Sequence, residues 1–531
     1  MQSGGLAPAA AVAPPLDLRW ITAPPHPTPI AWYYKSVASF YVQNFGCRAT
    51  QADGAAIERQ FEGLGLERAA DSVCAQVVVL NTCTVTASAD HDARAAIRRV
   101  HRENPEAQIV VTGCYAQRAP DELAALPGVA QVIGNSHKHR LAEIALSSLE
   151  PAQDAIVRSA NRGIAAGFVP LTSLSTRPVE RDARSVFVSD IFAHTELLAA
   201  PVFDAANQRT RPNLKVQDGC DNRCSFCVIP FVRGHSRSLP LERILHEVET
   251  LVTAGFRELV ISGINLGRWG RDLLPSPQGA APRLKLAAQS PRFESLVQAI
   301  LNETSLEKLR ISSVEPMDWT DELIELVARS PRIAQHAHVP LQSGSDAVLR
   351  RMHRKYRPWH YRGKIGKLRA AMPDAAIGAD VMVGFPGETD AEFDETRRMV
   401  EELPFTYLHV FTYSARPGTP AARMPNQVPV QVARERNRVL RELAAQKKQA
   451  FMQSFLRKPL RAITLGRQAP DAATNGGASD FPGEVLTEAL TDNYLKMLLP
   501  GKIDGNQWIV ARVESIAGDC LNARVLAPRA L

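Results

Sequence analysis

At 531 residues the chain is too long for one ordinary domain, and its 45% apolar content can fill several cores. No apolar run approaches the roughly 18 residues of a membrane span. The net charge of +7 permits an anionic partner such as RNA without requiring one. The first 29 residues are rich in Ala and Pro and lack the basic start and apolar stretch of a secretory signal. They predict a disordered tail over 1–36, or a start codon placed too early, and a cytoplasmic protein. In that reducing compartment the eight cysteines point to ligand or catalytic roles before disulfides.

In chain order, residues 37–147 alternate apolar strands (36–45, 76–80, 108–112) with helical stretches (53–64, 87–103). This βαβ pattern predicts an α/β domain with a parallel sheet. Residues 148–205 read as a linker. From 206 to 440 the alternation resumes, with six strand candidates at 214–218, 258–264, 308–314, 336–341, 377–385 and 407–413. Helical patterns follow them, for example 240–254, 318–329 and 390–402, and the repeat predicts a full or partial barrel. The stretch 271–292, rich in Pro, Gln and Ala, reads as a surface insertion. Residues 430–458 form a long helical pattern with eight Lys or Arg against two Glu, whose end, 441–458, stands apart as a basic helix. Short strand-like runs at 494–499 and 508–513, separated by Gly, Asn and Asp, predict a small all-β module over 459–527.

Six cysteines carry the chemistry. Cys220, Cys224 and Cys227 form a C-x3-C-x2-C run directly after the first barrel strand. Three thiolates this close can hold three irons of a [4Fe–4S] cube and leave the fourth open to a chelating ligand. A structural zinc site wants four closed ligands, and a simple ferredoxin site four thiolates. Cys47, Cys83 and Cys114 lie 36 and 31 positions apart, each just past an apolar strand. The carboxyl ends of parallel strands share one edge, where ligands bind in open α/β sheets. One such cysteine alone reads as a buried thiol. Three at equivalent positions predict a second cluster, with Gly46 and Gly113 letting the backbone come close. Cys74 and Cys520 have no partner pattern and read as structural.

The three-cysteine run, with Phe226 before its last cysteine, resembles the radical S-adenosylmethionine (SAM) superfamily. The flanking segments 216–220 and 229–234 are similar to the methylthiotransferase family within it, as are Gly46-Cys47, Asn81-Thr82-Cys83 and Gly113-Cys114. The resemblance covers about 37–527. One position departs from it: Thr50 stands where the family commonly has Asn three residues after the first cysteine. The resemblance implies a flavodoxin-like N-terminal domain and a partial (βα)6 radical SAM barrel. It also implies a C-terminal TRAM β-barrel that binds RNA, to whose strand opening 491–496 is similar. It implies two [4Fe–4S] clusters, one on Cys47, Cys83 and Cys114, the other, which binds SAM, on Cys220, Cys224 and Cys227. Phe226 would lie near the adenine of SAM. Ser262, Gly263, Ser312, Gln342, Ser343 and Gly384, at the carboxyl ends of candidate strands, are similar to stretches lining the SAM pocket. No catalytic side chain beyond the cluster ligands is implied.

The reaction implied is radical transfer of a methylthio group to C2 of adenosine 37 in a tRNA anticodon loop. An electron donor such as flavodoxin or ferredoxin would be a partner. Segments 81–86, 217–224 and 409–416 look most like the threonylcarbamoyladenosine branch. The alternatives are the isopentenyladenosine branch, the branch acting on a ribosomal-protein aspartate, and an RNA-binding iron–sulfur electron carrier that consumes no SAM. The basic run 350–357 and the helix 430–458 admit two readings each, phosphate binding or a solvated face.

Overall fold

A computed structural model describes residues 39–147, 185–198, 210–273, 291–468 and 484–526. The expected tail 1–36, most of the linker 148–205 and all but the ends of the insertion 271–292 lie outside the described residues.

The N-terminal sheet has six parallel strands in the order β2-β1-β3-β4-β5-β6. They are β1 (Ser39–Asn44), β2 (Glu67–Arg68), β3 (Val77–Thr82), β4 (Gln108–Gly113), β5 (Val129–Gly134) and β6 (Ser185–Phe187). Every residue of β3 is buried, as a strand covered by helices on both faces requires. The helix Ala87–Glu103 starts where Thr86 accepts from the Ala89 N–H, and buries Ala93, Ala96, Ile97 and Val100 at helical spacing. The first helix runs Arg48–Gly63, beginning five residues before the expected 53–64 because Cys47, extended at φ −76° and ψ 172°, is its N-cap. β2, β5 and β6 carry no clear strand signal in the sequence. The first and last are two or three residues long, and β5 is interrupted by a buried Gln131 that donates to the Ile144 carbonyl.

All six expected barrel strands are present: β7 (Asn213–Asp218), β9 (Glu258–Gly263), β10 (Lys308–Ile311), β11 (His336–His338), β12 (Ala376–Val383) and β13 (Tyr407–Thr412). A two-residue strand, β8 (Arg237–Ser238), runs antiparallel beside β7. The strands form two sheets, β10-β9-β7-β8 and β11-β12-β13. The Leu309–Ile333 bridge and a Val314 N–H bond to the His338 carbonyl (3.1 Å) link them into an open barrel. Alternation sorts the side chains. Leu214, Leu259, Ile261, Leu309, Ile377 and Val381 pack outward into the helical core. The opposite face, lining the interior, carries Lys215, Glu258, Arg310, His338, Asp380 and His409.

The last strands close a five-stranded barrel, β14-β15-β16-β18-β17. They are β14 (Pro459–Gln468), β15 (Leu486–Thr491), β16 (Lys496–Pro500), β17 (Trp508–Ala517) and β18 (Cys520–Val525). The helix Val430–Gln453 leads into it, ending five residues before the expected 458. The segment expected to open a TRAM strand is a turn that docks under the larger barrel. Arg310 donates to the Thr491 and Asp492 carbonyls (3.2 and 3.3 Å), Lys308 to the Asp492 carboxylate (2.9 Å), and the Tyr494 ring lies 4.6 Å from that of His336, tilted by 39°. No helix among the described residues is long and apolar enough to cross a membrane.

Candidate metal and cofactor site

Cys47 caps the helix after β1, Cys83 follows β3, and Cys114 opens the helix after β4, so adjacent strands bring all three to one sheet edge. The glycines are needed for this approach. Gly46 sits at φ +98°, and a Cβ there would lie 2.9 Å from the Cys83 sulfur. Gly113 sits at φ +102°, and its Cβ would lie 2.2 Å from the Thr82 carbonyl oxygen. Burial, with Cys114 and Cys47 nearby, pushes the Cys83 thiol up to about 12. The Thr50 hydroxyl lies 3.5 Å from the Cys47 sulfur, and its carbonyl accepts from Asn81 (2.8 Å), so the departure at this position keeps a polar contact to Cys47. Asn135 Nδ2 lies 3.7 Å from the Cys114 sulfur.

Behind this edge lies a buried charge network that the sequence reading missed. Asp53 accepts from Lys138 (3.1 Å), Arg233 (2.9 Å) and Lys215, and Asp218 accepts from Lys215 (2.9 Å) and Arg233 (2.9 and 3.0 Å). Burial raises Asp53, but the three cations outweigh it and bring its carboxyl down to about 2. Three cations face two carboxylates, and Arg233 also feels Cys114 and Cys47. The network thus sets net positive charge beside the three thiols, and positive charge favours the thiolate, the form in which cysteine binds metal.

The second trio lies on the loop between β7 and the helix Ile229–Arg233. Gly219, at φ +72°, turns the chain where a Cβ would lie 1.9 Å from the His235 carbonyl oxygen. Cys220 receives the Asn222 N–H (3.4 Å) and Asn265 Nδ2 (3.6 Å), and Cys224 receives Arg354 (3.2 Å). Arg354 is itself fixed by Glu315 and Tyr356. Burial pushes Cys220 up to about 11 and Cys227 to about 12. Three thiols with N–H donors aimed at their sulfurs suit an iron–sulfur cube. The other two cysteines are elsewhere: the Cys74 N–H is bound by Asp71, and Cys520 lies in β18.

Of the expected SAM-pocket residues, Phe226 packs edge-on to Phe385 at 6.4 Å. Ser262 is buried with its hydroxyl unpartnered, and Gly263 abuts Gln217. The Ser312 N–H bonds the Ile261 carbonyl (3.1 Å). Gln342 takes a left-handed φ of +65° with its buried Oε1 unpartnered. The Ser343 hydroxyl is engaged by Thr396 (3.1 Å) and the Ser345 N–H (3.2 Å). Gly384, at φ +73°, donates its N–H to Glu388 (2.6 Å). Ser262, Asn265, Gln342 and Ser345 each carry a buried side-chain group without a partner, which a polar ligand could bond. The basic run 350–357 is largely self-neutralised: Arg350 pairs with Asp346 (2.8 Å), Arg351 with Glu392 (2.8 Å), and Arg357 with Asp346 (3.4 Å). Its one member beside the cysteines, Arg354, has no distinguishing mark in the sequence.

Family models match two stretches, the uncharacterized protein family UPF0004 over 39–134 and the radical SAM superfamily over 214–400. The threonylcarbamoyladenosine tRNA methylthiotransferase MtaB of Bacillus subtilis is 34% identical over 88% of this chain and 92% of its own. The MtaB of Aquifex aeolicus is 34% identical over 80% of this chain and 92% of its own. A tRNA-2-methylthio-N(6)-dimethylallyladenosine synthase of Acidothermus cellulolyticus is 31% identical over 92% of this chain and 95% of its own.

Proposed function

The chain belongs to the radical SAM tRNA methylthiotransferases, and on that premise we propose that it converts N6-threonylcarbamoyladenosine 37 of tRNA to its 2-methylthio derivative. The observation that carries this is the pair of cysteine trios at neighbouring strand-end edges, joined by the Asp53, Lys215 and Arg233 charges. We assign Cys47, Cys83 and Cys114 to one [4Fe–4S] cluster and Cys220, Cys224 and Cys227 to the other. The clusters and SAM supply, when bound, the sulfur and the radical needed at a C–H bond that acid–base chemistry does not open.

The protein's own groups hold and shape these sites. Arg354 and Asn265 donate to sulfurs of the second trio, and Arg233 places its charge by the first, so both favour the thiolate forms. Phe226, Ser262, Gly263, Ser312, Gln342, Ser343 and Gly384 form the proposed walls of the SAM cleft. The target base reaches the site unstacked, as a loop nucleotide allows. We assign electron delivery to a small redox protein such as a flavodoxin or ferredoxin, and the reaction to the cytoplasm.

Anaerobic turnover of a threonylcarbamoyl-modified anticodon stem–loop with reductant and SAM tests the reading. It should yield the 2-methylthio nucleoside by mass spectrometry and 5′-deoxyadenosine. A protein with about eight irons that makes neither product would overturn it.

A further inference from the structure

The inner faces of β11, β12 and β13 carry polar groups that the cluster and SAM sites leave unused. The register sets Asp380 opposite His409 and His338 opposite Gly378, so three side chains point into the barrel from adjacent strands. Their donor and acceptor atoms all lie within 4.8 Å of one another, and His338 Nε2 stands 3.4 Å from Asp380. His338 is only 7% exposed. Its Nδ1 is engaged by the Ser313 hydroxyl at 2.7 Å, which fixes the ring and leaves Nε2 facing the interior without a hydrogen-bond partner. The Tyr407 ring lies against Gly378, where a Cβ would fall 2.0 Å from it, and His336 and Tyr494 close the space below. His409 is exposed to the interior, so the group is reachable.

Arg48, next to Cys47, lies near enough for its charge to act on His409, His336 and Tyr407. Among the described residues no carboxylate pairs with it. Burial, then His338 and Arg48, hold His409 below its ordinary value despite Asp380. The lining is therefore two imidazoles, one carboxylate and one guanidinium.

A hydrocarbon substituent placed here would leave these groups dry and unpaired, which a buried site penalises heavily. A threonylcarbamoyl group carries a urea, a hydroxyl and a carboxylate, and so offers a partner to each. We propose that His338, Asp380, His409 and Arg48 form the specificity subsite for the N6-threonylcarbamoyl substituent of the target adenosine. Arg48 meets its carboxylate, Asp380 accepts from its hydroxyl or urea N–H, and the imidazoles bond the remaining oxygens. The inference rests on the functional reading above and names the residues that select its substrate. The placement suits the reaction, because only one ring nitrogen separates C2 from the carbon bearing the substituent. A base seated here keeps its reacting carbon near the Cys47 edge.

The test uses reconstituted holoenzyme and three anticodon stem–loops, bearing threonylcarbamoyladenosine, dimethylallyladenosine or plain adenosine at position 37. Wild type should bind the threonylcarbamoyl RNA about tenfold more tightly than the plain one by fluorescence anisotropy. It should favour it over the dimethylallyl RNA by about 10³ in kcat/KM, as sites built to bond polar groups do. His409→Phe and Asp380→Asn should each bring the binding preference to within about twofold while keeping iron content and RNA-independent SAM cleavage. Variants that keep the preference, or a stoichiometric divalent ion that Asp380→Asn removes, would overturn the subsite. Wild-type holoenzyme that methylthiolates only the dimethylallyl RNA, or neither, would instead overturn the functional reading.

Discussion

Arg354 gives Cys224 a charged donor at 3.2 Å, and such a donor favours the more negative state of any cluster that sulfur holds. Replacing it by Met should lower the midpoint potential of the second cluster by about 60 mV, roughly 1.4 kcal/mol for a one-electron couple. A potentiometric EPR titration checks this, and Arg354→Lys should recover part of the shift. Gly46 sits at φ +98° against the Cys83 sulfur. Gly46→Ala should therefore cost the first cluster, about half the iron, while leaving the second cluster's spectrum intact. At this scale the cysteines and the two glycines were legible, because spacing after apolar strands is a one-dimensional signal. Arg354, Asn135 and Asn265 were not, since each meets its sulfur only through folding. Thr50 was visible as a departure, but its reach to Cys47 needed the helix that starts at Arg48.

Among elements, the buried charges tie the helix Arg48–Gly63 to β7 and to the helix Ile229–Arg233. Asp53→Asn leaves Lys138, Lys215 and Arg233 facing Asp218 alone, and should cost about 3–5 kcal/mol as a buried pair losing one partner does. Thermal unfolding of the two proteins gives that difference. The sign of the acid dependence follows from the shift. Asp53 is depressed from 3.8 to about 2, so its contribution is full above the unfolded value and is lost as pH falls toward about 2. The gap between wild type and Asp53→Asn should therefore narrow between pH 5 and pH 2 and not between pH 5 and pH 8. The six barrel strands were legible because each pairs an apolar outer face with a turn and a helix. β14, β15 and β18 were not, since the β-module is marked only by short runs. The polar inner face of the barrel breaks the continuous apolar run of a parallel strand, and that break, at His338, Asp380 and His409, is where the structure holds its unassigned polar group.

Across the whole molecule, single long-range pairs dock the three parts on one another. The N-terminal sheet is tied to the barrel by Arg416 donating to Asp90 (2.8 Å), which Arg118 also holds (3.1 Å), and by the Ala87 N–H bonding Ser414 (3.1 Å). Arg416→Ala should keep the iron yet uncouple the two sites, so that SAM cleavage continues while methylthiolation falls at least about tenfold; product and 5′-deoxyadenosine measured together show the ratio. The C-terminal barrel seals the amino end through Arg310 and Tyr494. This order of parts was legible from composition and motif, but their docking was not, because it depends on single long-range pairs. We assign one cluster, with one corner free of protein sulfur, to each of the two separate cysteine trios. Mössbauer spectroscopy with iron analysis of Cys224→Ala tests it most directly. Iron should fall from about eight to about four per chain, with one [4Fe–4S] signal retained and 5′-deoxyadenosine formation abolished. Zinc in place of iron, or undiminished SAM cleavage by that variant, would contradict it.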